Sequence, residues 1–180
     1  QCTYDEALDA VLATTGRRDR LDAAIAEMAA HSEFSPVITR LGCLRGISTL
    51  TAFGLAVEIG DWHRLTGRSI GNYLGLVPTE SSTGTSRHQG GITRTGNKHV
   101  RRLLIEAAWQ HRKPYRPGVT LRRRWAAACP AARARGQEGN FRLHQRWTHF
   151  DQRKKRPVIA NAAIARELAG WCWSLAVLDD

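Results

Sequence analysis

A chain of 180 residues with 42% hydrophobic residues is long enough for one ordinary domain with a real core, or for a domain plus an extended arm, and it excludes wholesale disorder. The formal charge of +11 bears on partners and solubility and leaves the fold open. Residues 81–160 hold 19 of the 27 Lys and Arg against three acids, a local balance of +16 that leaves −5 for the rest. Such a basic half is the footprint of a polyanion-binding surface; the alternative is a solubilising surface, which normally mixes both signs.

In chain order, residues 4–31 read as one long helix. Leu8, Val11, Leu12, Leu21, Ile25 and Met28 recur at three- and four-residue steps, interrupted by the charges from Arg17 to Arg20. This narrow apolar seam fits an arm that pairs with another copy, one side of a helical hairpin, or a helix packed on its own domain. The expected division is a helical arm, residues 1–34, with coiled-coil potential, and a helical domain, residues 35–180, carrying a serine loop at 79–90.

Ser35-Pro36 restarts the chain with a short amphipathic helix. The stretch "LRGISTLTAFGLAVEIGDW" then gives a helix, a Gly46-Ile47 turn and a second helix. It resembles a helix-hairpin-helix, in which turn amides and a helix N-terminus face a phosphate. Ser48 stands where a second glycine is usual, and an ordinary helical corner is the equal alternative. Gly60-Asp61 ends that helix, and a further short helix runs from Ser69 to Leu76 before Pro78.

The segment from Thr79 to Gly91 is polar and small, and composition alone favours a solvated linker. Thr95 or Asn97 is expected to cap a helix from Lys98 to His111, buried through Val100, Leu103, Leu104, Ala107 and Ala108. Lys98, Arg101 and Arg102 fall in its first turns, where the helix dipole disfavours cations, so an anion from outside is expected to offset them.

From Arg112 to Arg156 the stretches "KPYRPGVTLRRRW" and "RARGQEGN" read as loops, followed by a helix from Asn140 to about Gln152. Trp125, Phe141, Trp147 and Phe150 alternate with arginines and could stack on bases, although aromatics at helical spacing are more often core. A last helix, Val158 to Ala176, is expected to turn Ile159, Ala163, Leu168, Trp171 and Leu175 to one side. Strand signals are nearly absent, so the fold class is mostly α: a compact helical domain containing a helix-hairpin-helix-like element and preceded by a long N-terminal helix.

Cys2, Cys43, Cys129 and Cys172 are scattered, which favours reduced thiols in a cytoplasmic protein over a disulfide framework. His144 and His149 have a ligand-like spacing without paired cysteines, so no metal is expected in this chain. The most apolar stretch, Pro157 to Leu178, is broken by Asn161, Arg166 and Glu167 and reads as a buried helix rather than a membrane span. The chain begins at Gln1 within a helical pattern and is expected to be a fragment.

The phrases "LRGISTLTAFGLAVEIGDWHRL", "NYLGLVPTESSTG", "GGITRTGNKHVRRLLIEAAW" and "ANAAIARELAGWCWSLAV" stand in an order that resembles the C-terminal half of DEDD-type insertion-sequence transposases of the IS-one-ten group, the RNA-bridge-guided recombinases. The resemblance covers residues 37–178. It implies a serine that attacks the DNA backbone and forms a covalent phosphoserine link. In the family, Ser-Ser-Gly follows the Leu-Val-Pro phrase. Aligned from Pro78, its first serine falls on Ser82, its second on Thr83 and its glycine on Gly84, with Ser81 as the runner-up nucleophile.

The same resemblance implies a RuvC-like domain, absent from this chain, whose four carboxylates hold divalent metal (Mg) and could activate the serine. No Ser–His–carboxylate set is evident in the sequence near Ser82, and His88 has no assigned role. Arg87, Arg94, Thr95, Asn97, Lys98, Arg101 and Arg102 are the expected DNA-binding residues, with cations and helix-start amides gripping phosphates. The implied partners are DNA, a guide (bridge) RNA, the RuvC-like domain in cis or in trans, and a second copy through the N-terminal helix. The alternative is a non-catalytic helix-hairpin-helix module or an inactive remnant, with the serine loop inert.

Overall fold

The computed structural model describes residues 2–83 and 86–178, the side chains of Cys2 and Arg87 excepted. Helix α1 (Cys2–His31) leads into α2 (Ser35–Leu41), α3 (Thr49–Ile59) and α4 (Ser69–Tyr73). A two-stranded antiparallel ribbon, β1 (Pro78–Thr83) and β2 (Ser86–Ile92), precedes α5 (Lys98–Ala108), which tightens into a 3₁₀ turn at Trp109–Arg112. Three more helices follow: α6 (Val119–Ala127), α7 (Pro130–Gln152) and α8 (Pro157–Ala176). The fold is mostly α, with the ribbon as its sheet component among the described residues.

Helix α8 lies at the centre, packed on α2, α4, α5 and α7. Its buried stripe is Ala160, Ile164, Leu168, Cys172 and Leu175, while Ile159 is exposed. The stripe expected from the sequence, which included Ile159, Ala163 and Trp171, is therefore rotated. Small side chains at Ala160 and Cys172 let neighbouring helices close in, and a pattern search weighted to large residues passes over them.

Two stretches expected as loops are helical. The segment 113–125 contains the start of α6, and 133–140 lies inside the 23-residue α7. Glycines suggested the second loop, yet Gly136 and Gly139 serve close packing. A Cβ on Gly136 would stand 2.5 Å from Cys43 Cβ, and one on Gly139 would stand 2.9 Å from the Trp171 ring. Trp125 and Trp147 are core residues, their indole N–H groups donating to Cys43 O (3.0 Å) and Ala108 O (3.2 Å), so neither is a base-stacking platform.

The corner between α2 and α3 depends on Gly46, at φ +85°, where a Cβ would stand 2.5 Å from the Ala107 carbonyl. Its amides are largely committed inside the chain. Arg45 N donates to buried Asn140 Oδ1 (2.7 Å), Ile47 N to Leu44 O (3.3 Å), and Thr51 N to the capping Ser48 Oγ (3.1 Å). Asn140 completes the lock by donating to Cys43 O (2.9 Å).

Helix α1 enters the core only at its last turns, through Ala29, where the Ser35 hydroxyl donates to the Ala29 carbonyl (2.8 Å). Leu8, Val11, Leu12, Leu21 and Met28 are exposed, so its seam stays largely uncovered. Among the described residues, no helix is long and apolar enough to cross a membrane. Nor does any group of three or more His, Cys, Asp or Glu come together as a metal site. Cys43, Cys129 and Cys172 are free thiols, and burial pushes Cys172 up to about 12.

His111, fully buried beside Arg45 and His144, has no hydrogen bond to either ring nitrogen. Burial above all, then the Arg45 charge, hold its pKa down at about 3. The folded state keeps the ring neutral while the unfolded chain takes up a proton below about pH 6.5, so stability falls as pH drops from that value toward 3. In that window His111→Leu is expected to remove up to about 1.4 kcal/mol per pH unit of the acid destabilisation. Urea titrations of both proteins from pH 7 to pH 4 would measure it.

Candidate nucleic-acid interface

The ribbon is held at its root by a backbone clasp. Gly75 (φ +63°) ends the α4 turn and Gly96 (φ +72°) ends the turn before α5, and each sits where a Cβ would overlap the other segment's backbone. Arg94, itself at φ +58°, donates its amide to Gly75 O (3.1 Å), and Thr93 N donates to Val77 O (2.9 Å). Arg101 closes the clasp: its Nη1 donates to Leu74 O at 2.9 Å and to Thr95 O at 2.8 Å.

Arg101 was expected on the phosphate-facing surface and is instead buried, its guanidinium turned inward from the second turn of α5. The reason is local: Leu74 and Thr95 carbonyls from two chain ends meet under the helix and need a donor that reaches both. Asn97 caps α5 by accepting from Val100 N (3.0 Å), while its Nδ2 donates to Glu58 on α3 (2.7 Å). Thr95 shares a 3.2 Å hydroxyl contact with Thr93. Arg94 and Lys98 are left exposed beside the root, and Arg102, also exposed, pairs along α5 with Glu106 (2.8 Å).

The segment expected as a serine loop forms the ribbon. Ser82 pairs in register with Arg87, and Ser81 with His88. Paired residues share a face and successive residues alternate, so the two candidate hydroxyls point to opposite faces. Ser82 shares its face with Glu80, and its Oγ donates to Glu80 Oε1 at 3.0 Å. Ser82 stands roughly 13 Å along the strand from Pro78, so it projects away from the cations at the root. Gly84 and the Arg87 side chain lie outside the described residues.

Two functional residues that sequence reasoning missed are Glu80, the serine's acceptor, and Gly75, half of the clasp. Glu80 was legible only through strand parity, and strands without an apolar face leave no such signal. Chemically, the ribbon offers an exposed hydroxyl with a carboxylate aligned to take its proton. An alcohol needs further activation to attack a phosphodiester at neutral pH.

Residues 39–118 match the model of the transposase IS116/IS110/IS902 family. The chain is similar to the putative transposase y4qE of Sinorhizobium fredii, 36% identical over 160 residues that cover 88% of this chain and 41% of that protein. It is also 37% identical over 95 residues to the transposase for insertion sequence element IS1328 of Yersinia enterocolitica, covering 51% of this chain and 28% of that one. With the insertion element IS110 uncharacterized 43.6 kDa protein of Streptomyces coelicolor it shares 33% over 94 residues, 52% of this chain and 22% of the other. The chain spans less than half the length of each of these relatives.

Arg101→Ala is expected to destabilise the chain by about 2–3 kcal/mol, because two carbonyls under α5 lose a charged donor. Lys98→Ala, at an exposed site, should stay within about 0.5 kcal/mol of the parent. Denaturant unfolding of the two variants measures the contrast. Hydrogen exchange should open across 74–97 in the first variant alone.

Proposed function

We propose that this chain, whose residues 39–118 match the model of the IS116/IS110/IS902 transposase family, is the DNA-binding and serine-nucleophile part of a transposase. It acts in DNA strand cleavage and exchange during transposition. The observation that carries this reading is the exposed ribbon presenting Ser82 hydrogen-bonded to Glu80, rooted beside the exposed Arg94 and Lys98.

In the cleavage step, Ser82 Oγ forms a bond to phosphorus and one phosphodiester P–O bond breaks. The serine proton passes to the Glu80 carboxylate, and the released sugar oxygen takes up a proton to leave a free hydroxyl. Reversal of this step onto another strand end gives exchange. Arg94, Lys98 and Arg102 neutralise phosphates next to the root, with Thr95 and Asn97 holding the turn that carries them. Arg87 stands opposite Ser82 in the ribbon register.

The partners on this reading are DNA, a guide (bridge) RNA and a RuvC-like domain, supplied in cis or in trans. Proteins of the relatives' length have room for such a domain beside a segment like this one. Among the described residues no group of three or more His, Cys, Asp or Glu comes together, and on this reading Mg would be held by the RuvC-like domain. The exposed seam of α1 would pair with a second copy.

Mixing the chain with a separately supplied RuvC-like domain and element-end DNA is expected to give a covalent protein–DNA adduct that survives denaturation. Ser82→Ala should abolish the adduct and Ser81→Ala should retain it; equal loss in both would remove the assignment to Ser82. Replacing Arg94, Lys98 and Arg102 together by Ala should flatten the log–log salt dependence of duplex binding by roughly two to three units. Melting temperature should hold, because Arg101 is left in place.

A further inference from the structure

A second basic feature lies on the other side of α4. An open cleft of about 700 Å³ runs between the turn before α4, the middle of α7 and the outer face of α8. That is within the roughly 300–1,000 Å³ of ordinary ligand clefts. Arg68, Arg135, Arg146 and Arg166 all line it, brought together from segments nearly a hundred residues apart. Its carboxylate, Glu167, is already bound by Arg146 and by Arg142 (3.1 Å).

The arginines divide into held and unheld. Arg135 lies over the Trp171 ring, 4.5 Å from its centroid, with Nε donating to Ser174 Oγ (3.1 Å) and Nη1 to Glu138 (3.2 Å). Arg68 and Arg166 have no hydrogen bond or ion pair among the described residues. Arg166 is nevertheless aimed: its stem crosses Gly71, where a Cβ would stand 3.2 Å from Arg166 Cγ. A solvated face would normally mix signs across such a surface; here like charges converge on a concavity.

The cleft's aromatic ring does not serve base reading. One face of Trp171 carries Arg135, and the indole also packs so closely on Gly139 that a Cβ there would stand 2.9 Å away. Asn72 apart, the accessible polar groups that remain unpaired are guanidinium, which suits phosphate. A concave channel between helices admits one strand, whereas a duplex presents a convex double row of phosphates. Gly71 and Asn72 line the cleft, while Tyr73 to Gly75 belong to the clasp at the ribbon root. At about 1.5 Å per residue along α4 the two features are neighbours.

The geometry points to this cleft as a groove for the phosphodiester backbone of a single nucleic-acid strand, gripped without regard to sequence and passed along α4 to the ribbon root. This rests on the nucleic-acid reading proposed above for the class of partner, and on separate residues for the site.

The test is fluorescence anisotropy of the full chain with labelled dT20 and rU20 across a salt series. Arg68→Ala with Arg166→Ala is expected to flatten the log–log slope by about 1.4, two contacts at about 0.7 each for single strands. At 0.1 M salt that corresponds to roughly 25-fold weaker binding. Arg68→Lys with Arg166→Lys should keep most of the slope, and melting temperature should be unchanged in both. The stronger of the two labelled strands identifies which nucleic acid the groove takes.

An unchanged slope in the Ala pair, while Arg94, Lys98 and Arg102 replacement still flattens duplex binding, overturns the groove and spares the ribbon-root reading. Failure of the parent chain to bind any nucleic acid sinks both. Equal loss on duplex and single strand overturns the single-strand assignment. Loss of inorganic polyphosphate binding in the Ala pair, with dT20 and rU20 binding unchanged, overturns the strand in favour of a plain anion site.

Discussion

One guanidinium holds the working end of this chain together. Arg101 donates to carbonyls that belong to the end of α4 and to the turn before α5, two places that the ribbon would otherwise leave free to separate. A two-stranded ribbon is marginal on its own in water, and this one is exposed over nearly all of β1. Its position therefore derives from its root, where Gly75 and Gly96 bring backbone against backbone and Arg101 neutralises the carbonyl ends that result. The serine pair, the exposed cations and the neighbouring cleft all take their relative placement from that junction.

The same device recurs through the fold. Arg40 reaches the Ala176 carbonyl at the end of α8 (3.0 Å), Arg64 reaches Ile59 O at the end of α3 (3.0 Å), and Arg124 reaches Ile47 O (2.7 Å). Arg45 spans to Lys113 O and Pro114 O. Helix ends leave carbonyls without intrahelical partners and carry the negative end of the dipole, so a long cation suits them. Part of the basic character that looks like surface charge in the composition is thus consumed as internal bracing. The arginines left for an anionic partner are those without such a task.

This is also where the sequence could and could not be read. The start of α5 was legible, with its cap narrowed to Thr95 or Asn97, because a cap followed by a 3.6-residue apolar period is a local signal; the structure gives the cap to Asn97. Helices α1, α3 and α8 announced themselves in the same way. The ribbon did not, since its strands bury no face and their alternation carries no apolar mark. The glycines of α7 pointed to a loop when their role was contact with Cys43 and Trp171 across the core. Arg101 and Arg102 are adjacent and chemically identical in the sequence. Only the position of Leu74 and Thr95, set by tertiary packing, sends one inward and leaves the other in water.

The glycine pair in β2 sets which residues of the two strands face each other. Between Pro78 and Glu80 the register shifts, with Gln89 to Ile92 spanning one residue more on the partner strand. A Cβ on Gly90 there would stand 2.4 Å from the Thr79 hydroxyl, which would have to turn aside. This bulge acts as a phase marker for everything toward the tip. A strand has a period of two, so gaining or losing one residue at Gly90-Gly91 would change which β2 residues stand opposite Ser81 and Ser82, while Ser82 itself keeps the Glu80 face of β1. The neighbour that faces Ser82 across the ribbon is therefore encoded by the count of residues at the bulge as much as by the residues of the tip, and the ribbon behaves as a two-position selector whose setting is fixed at its base.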